Sequence, residues 1–280
     1  AVARLGKQVI DVLDVTAGYP DPLKERNGSA HRQEVPHERA GKPVLENVTW
    51  LIGAGDRFGL LGENGAGKST TMNMITGYLA PTAGTVKVDG FDIVKEPEKA
   101  KEHIGYLPEI PPLYSEMTVE EYLKFAAELK RIPGKERAAQ IEKAIKTAQL
   151  EDVRKRLINN LSKGYKQRVG LAQAVLGDPE TIILDEPTVG LDPRQMIEMR
   201  ELIRSLKKDH TVILSSHILS EVSAVCDQIL IISKGELVAS DTPDGLQAKL
   251  KGAGELELCV KGTAAQLKLS LIHMSEPTRR

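Results

Sequence analysis

One short segment constrains the fold of this chain more than any other part of its sequence. It reads Gly62-Glu63-Asn64-Gly65-Ala66-Gly67-Lys68-Ser69-Thr70, and it lies between an apolar stretch, Arg57-Phe58-Gly59-Leu60-Leu61, and a helical pattern. Glycines let the backbone curl so that several N–H groups converge on a phosphate chain, and the N-terminus of the following helix adds partial positive charge. The order of strand, glycine-rich loop and helix therefore predicts a phosphate-binding loop, or P-loop, rather than a turn without a ligand.

Two side chains of the P-loop have predicted roles of their own. Lys68 can reach the β- and γ-phosphates, and the Ser69 hydroxyl can ligate Mg²⁺. We expect the following residues of the loop to bind nucleotide: Gly62, Glu63, Asn64, Gly65, Ala66, Gly67, Lys68, Ser69 and Thr70.

A pair of carboxylates follows another apolar run. Thr181-Ile182-Ile183-Leu184 has the composition of a buried strand, and Asp185 and Glu186 come directly after it. Ligands of open α/β sheets lie beyond the carboxyl ends of the strands, so both acids should face the nucleotide. Asp185 suits Mg²⁺ coordination through a water, and Glu186 suits the polarisation of an attacking water as general base. Two acids after an apolar run are weak evidence alone and strong evidence beside a P-loop.

Composition and charge exclude several other classes of protein. The 280 residues include 38 Lys and Arg against 39 Asp and Glu, so the chain lacks the positive surface that sequence-independent nucleic-acid binding requires. Cys226 and Cys259 are too few for a disulfide framework and indicate a reducing compartment. Apolar runs such as Ile229–Ile232 are far shorter than the roughly 18 residues of a membrane span. We therefore expect a soluble cytosolic protein. Because the chain begins with Ala1 rather than Met, we also expect that its natural start has been trimmed.

Apolar patterns predict strands and helices that alternate along the chain. The predicted strands are 9–15, 45–52, 57–61, 181–184, 211–215 and 228–233, and the clearest helices are Thr118–Lys130 and Glu136–Gln149. Thr118 and Glu121 have capping-box spacing at the start of the first of these helices. The alternation indicates an α/β domain with a mainly parallel sheet, interrupted by a helix-rich subdomain at about 96–160.

A segment without periodicity, residues 20–43, separates the first two predicted strands. It contains His31, His37 and several prolines, and a structureless loop of this length is uncommon inside a compact domain. We expect a solvated, mobile insertion, because the two histidines lack the surrounding ligands that a metal site needs.

Further motifs follow in a fixed order. Leu161-Ser162-Lys163-Gly164-Tyr165-Lys166-Gln167-Arg168 resembles the signature motif of the ATP-binding cassette, Val189-Gly190-Leu191-Asp192 resembles its D-loop, and His217 stands where that family has its switch histidine. Tyr19 resembles the aromatic residue that stacks on adenine. Over roughly residues 8–240, the chain thus resembles an ATP-binding cassette (ABC) ATPase, the nucleotide-binding subunit of an ABC transporter.

The resemblance implies a fold, an activity and partners. The fold is α/β: a P-loop NTPase core with a mainly parallel sheet, an antiparallel β subdomain and an inserted α-helical subdomain, within an ABC domain at 1–240. The activity is ATP hydrolysis with Mg²⁺, coupled to transport. The implied partners are an integral membrane permease and a second copy of this chain or a homologous ATPase, in a head-to-tail dimer at the cytoplasmic face of a bacterial membrane.

Residue roles implied by the resemblance divide between the two chains of such a dimer. Glu186 and His217 would act in catalysis on one face of ATP, with Tyr19 on adenine. Mg²⁺ would be held by Ser69, Asp185 and Glu109. The remaining expected nucleotide contacts, two of them from the facing chain, are Ser162, Gly164 and Asp192.

Three residues depart from the usual motifs. Lys163 and Tyr165 replace a glycine and a glutamine of the signature, and Glu109 stands where the family usually has the glutamine of its Q-loop. A glutamate oxygen could still contact Mg²⁺ or the attacking water, but it cannot donate as an amide does. These substitutions resemble an exporter-type branch of the family and point to export. The neighbouring segment Ile110-Pro111-Pro112-Leu113-Tyr114 is the expected permease contact, against the alternative of an ordinary rigid loop.

Two other functions are alternatives to the exporter ATPase. The first is a soluble ABC ATPase acting on ribosomes or nucleic acid; such relatives usually have two cassettes or a long coiled-coil insertion, and this chain has neither. The second is a non-enzymatic dimerisation module, which a complete catalytic set argues against. At the other end of the chain, 241–280 resembles the start of an accessory region, and the residues from about 270 resemble translated adapter sequence, so we expect a truncated and partly non-native C-terminus.

Overall fold

The computed structural model describes residues 8–18 and 43–252. Contacts divide the chain into two compact units, residues 1–243 and 244–280, and helix α8, Pro243–Gly252, is the described element at the start of the second. Tyr19, residues 20–42 of the expected insertion, Cys259 and the C-terminal segment from 253 onward lie outside the described residues, so the predictions for them stay predictions.

Four strands form the first, antiparallel sheet. The order is β2-β1-β4-β5, with β1 at Gln8–Gly18, β2 at Pro43–Gly53, β4 at Ala83–Val88 and β5 at Phe91–Asp92. In β1, buried Ile10 and Val12 alternate with more exposed Asp11 and Leu13, as expected of a strand with one face on the core. A register shift after Val12 keeps Val15 on the buried side. The antiparallel β subdomain is therefore confirmed.

Six strands form the second sheet, in the order β10-β9-β3-β8-β7-β6. Their bounds are Arg57–Leu61 (β3), Ile104–Leu107 (β6), Thr181–Asp185 (β7), Thr211–Ser216 (β8), Gln228–Ser233 (β9) and Glu236–Asp241 (β10). All neighbours pair in parallel except β10 with β9. Strands β7 and β8 are buried along their whole length, which explains the apolar runs 182–184 and 212–214 at their centres. The predicted mainly parallel sheet is confirmed.

Two helices were predicted with bounds, Thr118–Lys130 and Glu136–Gln149, and the structure has them at Val119–Leu129 and Gly134–Thr147. Besides α8, the α-helices are Lys68–Ile75 (α1), Pro97–Glu102 (α2), Val119–Leu129 (α3), Gly134–Thr147 (α4), Lys163–Val175 (α5), Pro193–Leu206 (α6) and Leu219–Val225 (α7). The predicted capping box is present, because Thr118 accepts from Glu121 N and the Glu121 carboxylate accepts from Thr118 N. In the described part of the chain, none of the helices combines the length and the apolarity that crossing a bilayer needs.

The start of the helical subdomain differs from the prediction. The helix-rich block predicted at about 96–160 contains residues 104–107, but these residues form β6, which pairs with β7 at the edge of the parallel sheet. Gly105 explains the fit: a Cβ there would stand 2.1 Å from Ala174 O, so only glycine lets β6 lie this close to α5. The helical subdomain therefore begins after β6 ends at Leu107, and α3 is its first helix.

A network around Asp227 joins the start of β3 to the end of α7 and to α6. The carboxylate accepts hydrogen bonds from Arg57 N, Nε and Nη2, at 3.0, 3.2 and 3.0 Å, and from Lys207 Nζ at 2.9 Å. Burial by itself would raise the pKa of Asp227, but the hydrogen bonds from Arg57 and Lys207 outweigh it and hold the pKa well below its usual range.

The Asp227 network should stabilise the fold in a pH-dependent way. We expect Asp227→Asn to lower the free energy of unfolding at pH 7 by about 1–2 kcal/mol, since it removes charge-assisted hydrogen bonds at a partly exposed site. Because the folded-state pKa is depressed, this stabilisation is present above the unfolded-state pKa of about 4 and is lost as pH falls below it. Urea unfolding at several pH values measures both, with exposed Asp209→Asn as control. A difference that grew on acidification would contradict the assignment.

Candidate active site

A cavity of about 440 Å³ lies where β3, β7 and β8 end. Its walls come from five separate segments of the chain. The residues lining it are Val44, Glu63, Asn64, Gly65, Gly67, Lys68, Ser69, Thr70, Glu109, Glu186, Val189 and His217. Residues that are distant in sequence meet here because the carboxyl ends of parallel strands open at the same edge of a sheet.

The loop between β3 and α1 needs glycine for two different reasons. Gly67 has a φ of 110°, in the left-handed region, and a Cβ there would stand 2.6 Å from Leu45 Cδ2. Gly62 lies so close to β9 that its Cβ would stand 2.5 Å from Ile232 O. The loop is therefore clamped between β2 and β9, and it leads directly into the N-terminus of α1.

Lys68 is buried at the base of this loop. Its ammonium donates to the carbonyls of Gly62 and Glu63 at 2.5 and 3.2 Å, and it lies 3.6 Å from Glu186 Oε1. Gly62 and Ala66, which were also predicted to bind nucleotide, do not line the cavity. Ala66 is buried beneath the loop, where its N–H donates to Glu63 O.

Glu186 lies at the centre of the charged groups. Its carboxylate is 3.6 Å from Lys68 Nζ on one side and 3.1 Å from His217 Nδ1 on the other. Its backbone has a φ of 45°, an unusual conformation for a non-glycine residue. Its N–H donates to Ser215 Oγ at 3.0 Å, which holds it in this position. The carboxylate is thus aimed into the cavity between a cation and an imidazole.

Asp185 is buried immediately behind the cavity rather than lining it. Its Oδ1 accepts a short hydrogen bond of 2.5 Å from Ser215 Oγ, the same hydroxyl that accepts from Glu186 N–H. On the neighbouring strand β6, burial raises the pKa of Tyr106 well above its usual value, and the Asp185 carboxylate adds to this, so the phenol stays neutral. Sequence reasoning missed Ser215 and Tyr106, although both stand near the ends of strands that border the site.

Glu109 reaches the cavity from an exposed loop. Its backbone carbonyl accepts a hydrogen bond of 2.9 Å from Gln167 Nε2, and Gln167 is almost completely buried in α5. The helix that begins at the signature motif therefore fixes the loop that presents Glu109. The sequence predicted Glu109 near the site but did not reveal its link to Gln167.

The predicted contacts from the signature motif and the D-loop lie away from this cavity. Ser162 is exposed and caps α5, accepting from Tyr165 N at 3.4 Å, while Asp192 caps α6 and accepts from Gln195 N at 2.9 Å. A Cβ on Gly164 would stand 2.8 Å from Gln195 Cδ, so the two helix starts are in close contact. Ser162, Gly164 and Asp192 contribute nothing to the lining of the cavity in their own chain.

The donor groups present fit a magnesium-bound nucleotide. Backbone N–H groups at the start of α1 and the Lys68 ammonium suit phosphate oxygens. Mg²⁺ prefers oxygen ligands, and the Ser69 hydroxyl and the Asp185 and Glu109 carboxylates supply only oxygen. No described nitrogen or sulfur ligand other than His217 lines the cavity.

Comparison with known proteins identifies the family. The model of the family described as "ABC transporter" matches residues 45–189. The ABC transporter ATP-binding protein NatA of Bacillus subtilis is 40% identical over 197 residues, 70% of this chain and 80% of NatA. The bacitracin transport ATP-binding protein BcrA of Bacillus licheniformis is 38% identical over 225 residues, 80% of this chain and 72% of BcrA.

Solved structures agree with these relatives. The ATP-binding subunit of an ABC transporter matches 94% of this chain and 99% of its own with a TM-score of 0.72 at 29% identity. A dimeric post-hydrolysis state of the ATP-binding cassette MJ0796, bound to ADP and Pi, matches 84% of this chain and 98% of its own, with a TM-score of 0.68 at 25% identity. Since the family model spans more than half of the sequence, the chain belongs to the ABC transporter family, as an ATP-binding subunit that hydrolyses ATP with Mg²⁺.

Proposed function

We propose that this chain powers the export of a substrate through a separate membrane permease by closing on a second copy of itself around ATP. One observation carries the proposal: Lys68, Glu186 and His217 meet in one cavity, while Ser162 and Gly164 lie outside it. A chain that holds only one side of the site needs a second chain to close it. The names of three relatives, the bacitracin transport protein BcrA, the linearmycin resistance protein LnrL and the probable multidrug protein YbhF, support export.

Within one chain, each group at the cavity has a role that follows from its chemistry. The P-loop amides and Lys68 hold the phosphates, and Ser69 and Asp185 hold Mg²⁺, which neutralises phosphate charge when bound. Glu186 is the general base that accepts a proton from the attacking water. His217, at hydrogen-bonding distance from Glu186, orients that carboxylate and adds a donor near the γ-phosphate. Tyr19 stacks on adenine in this proposal.

The second chain supplies the opposite face through its signature motif. Ser162 is exposed at the N-terminus of α5, where the helix dipole favours an anion. Lys163 follows it and adds positive charge; its Nζ lies against the D-loop, 2.2 Å from where a Cβ on Gly190 would stand. A γ-phosphate facing these groups would be held by two chains at once. ATP then links the two chains of the dimer, and hydrolysis releases the γ-phosphate that links them.

An exposed apolar patch beside Glu109 is the proposed permease contact. Ile110 and Tyr114 are 82% and 50% exposed, and the Tyr114 ring packs edge-on against Phe125 with centroids 5.2 Å apart. The patch suits an amphipathic helix from a cytoplasmic loop of the permease. Because Glu109 lies next to it, movement of this loop would reach the ATP cavity directly. In this proposal, the chain works at the cytoplasmic face of a bacterial membrane, and no observation favours action on ribosomes or nucleic acid.

The proposed base gives a sharp test of the site. We expect Glu186→Gln to lower ATP turnover by roughly 10²–10⁴-fold while ATP still binds, since the amide keeps the shape but cannot accept the proton. Lys68→Ala should instead weaken ATP binding, because it removes the cation at the phosphates. Steady-state phosphate release and fluorescent-nucleotide titration separate the two effects. Exposed Glu201→Gln is the matched control, and near-normal turnover in Glu186→Gln would refute the assignment.

The composite site predicts dimerisation that depends on ATP. Glu186→Gln protein should shift from monomer to dimer on addition of Mg-ATP, because the nucleotide is bound but not consumed. Adding Ser162→Ala should weaken or abolish the shift while leaving ATP binding to the P-loop intact. Light scattering with and without Mg-ATP measures the mass. A dimer that formed equally well without ATP, or that was indifferent to Ser162→Ala, would contradict the composite site.

The permease contact can be tested separately. Tyr114→Ala should reduce the stimulation of ATPase activity by the reconstituted permease and leave the basal rate of the isolated subunit unchanged, because Tyr114 lies outside the cavity. Exposed Leu129→Ala, at the end of α3, is the control for loss of a surface apolar side chain. Full stimulation of Tyr114→Ala by the permease would exclude this contact.

A further inference from the structure

We propose that Glu221, which does not line the ATP cavity, is a positioning residue that fixes the D-loop and the switch histidine relative to each other. The inference rests on the proposed function, because it assigns a role in the same reaction. Glu221 lies in the first turn of α7 and is only 6% exposed. A carboxylate buried to this extent is costly unless it is paired, so its partners indicate its purpose.

A single oxygen of Glu221 joins two loops of the site. Its Oε2 accepts a hydrogen bond of 2.7 Å from Thr188 Oγ1 and one of 3.2 Å from Ser216 Oγ. Thr188 directly precedes the D-loop and follows Glu186 by two residues, and Ser216 directly precedes His217. The distance between the D-loop and the switch histidine is therefore set through one acceptor atom.

An arginine on α6, the helix that follows the D-loop, pairs with the Glu221 carboxylate. Arg200 Nη2, on α6, lies 3.7 Å from Glu221 Oε1. Arg200 Nε is buried and has no hydrogen-bond partner among the described residues, so this guanidinium depends on Glu221 for its pairing. Removal of the carboxylate would leave two hydroxyls and one cation without their acceptor.

The end of β8 is tied down on both of its faces. Successive side chains of a strand point to opposite sides. Ser215 donates to Asp185 and accepts from Glu186 N, whereas Ser216 donates to Glu221 and accepts from Ile218 N at 3.2 Å. His217 follows these two anchored residues. Its position against Glu186 therefore depends on Glu221 as well as on Ser215.

This arrangement predicts an effect on turnover rather than on nucleotide affinity. The P-loop holds the nucleotide, whereas the partners of the Glu221 carboxylate among the described residues are Thr188, Ser216 and Arg200. Glu186 and His217 must be placed accurately for proton transfer, and small displacements of catalytic groups are costly to rate. Loss of Glu221 should lower kcat and leave KM for ATP close to that of the wild type.

Three nearly isosteric variants separate the contacts: Glu221→Gln, Thr188→Val and Ser216→Ala. We expect each to lower kcat by roughly 10- to 100-fold with little change in KM. Thr188→Ser, which keeps the hydroxyl, should restore most of the rate lost in Thr188→Val. The Thr188→Val/Ser216→Ala double variant should have a kcat no lower than that of Glu221→Gln. Each of the three changes acts on the same pair of hydrogen bonds to Glu221 Oε2, so their effects should not add. Ser205→Ala is the control, because the Ser205 hydroxyl donates to Leu202 O within α6.

Amide hydrogen exchange supplies a readout that does not depend on activity. Thr188→Val should speed exchange in 186–192, Ser216→Ala should speed it in 214–220, and Glu221→Gln should do both. Wild-type kcat in all three variants, or exchange in Glu221→Gln that spread over the whole chain, would overturn the positioning role. Either of these outcomes rejects the positioning role alone, provided that the wild type and Ser205→Ala hydrolyse ATP and Glu186→Gln does not. Absence of hydrolysis by the wild type would reject the proposed function with it.

Discussion

Parallel pairing of β3 with β8 and of β8 with β7 brings the parts of the active site together. Parallel strands all point the same way, so the P-loop, the Asp185–Glu186 pair and His217 leave the sheet at one edge although they are far apart in sequence. Each strand is short and fully or largely buried, and their apolar side chains keep the register. The chemistry of the cavity is a consequence of this pairing, because no single segment contains more than one part of it.

Close backbone contacts keep the elements in the places that the site requires. Gly59 lies against α7 so tightly that a Cβ would stand 1.9 Å from Val222 Cγ1, and Gly105 lies equally close to α5. The first contact brings the helix that contains Glu221 over the centre of the sheet. The second brings α5, which contains Gln167, against β6, the strand that leads to Glu109. In both cases, the absence of a side chain allows a helix to deliver a polar group to the site.

Buried charged groups at the site have hydrogen-bond partners within the chain. Lys68 is bonded to the carbonyls of its own loop, Asp185 to Ser215, and Glu221 to Thr188 and Ser216. Such networks are favourable only when their members are satisfied together. The positive φ of Glu186 is maintained by the same bonds, so backbone strain and hydrogen bonding at the catalytic carboxylate belong to one arrangement.

The P-loop, the strand that ends in Asp185 and Glu186, the α3 capping box and the family could all be predicted from the sequence, because they depend on local patterns whose spacing is visible along the chain. The sequence did not reveal that β6 joins the parallel sheet, since Ile104–Leu107 is short and its place depends on contact with α5. Nor did it indicate Glu221, whose partners Thr188 and Ser216 are 33 and 5 residues away along the chain. Only the tertiary structure brings hydroxyls from two loops to one carboxylate oxygen, because strand pairing and helix packing, rather than local sequence, set those distances.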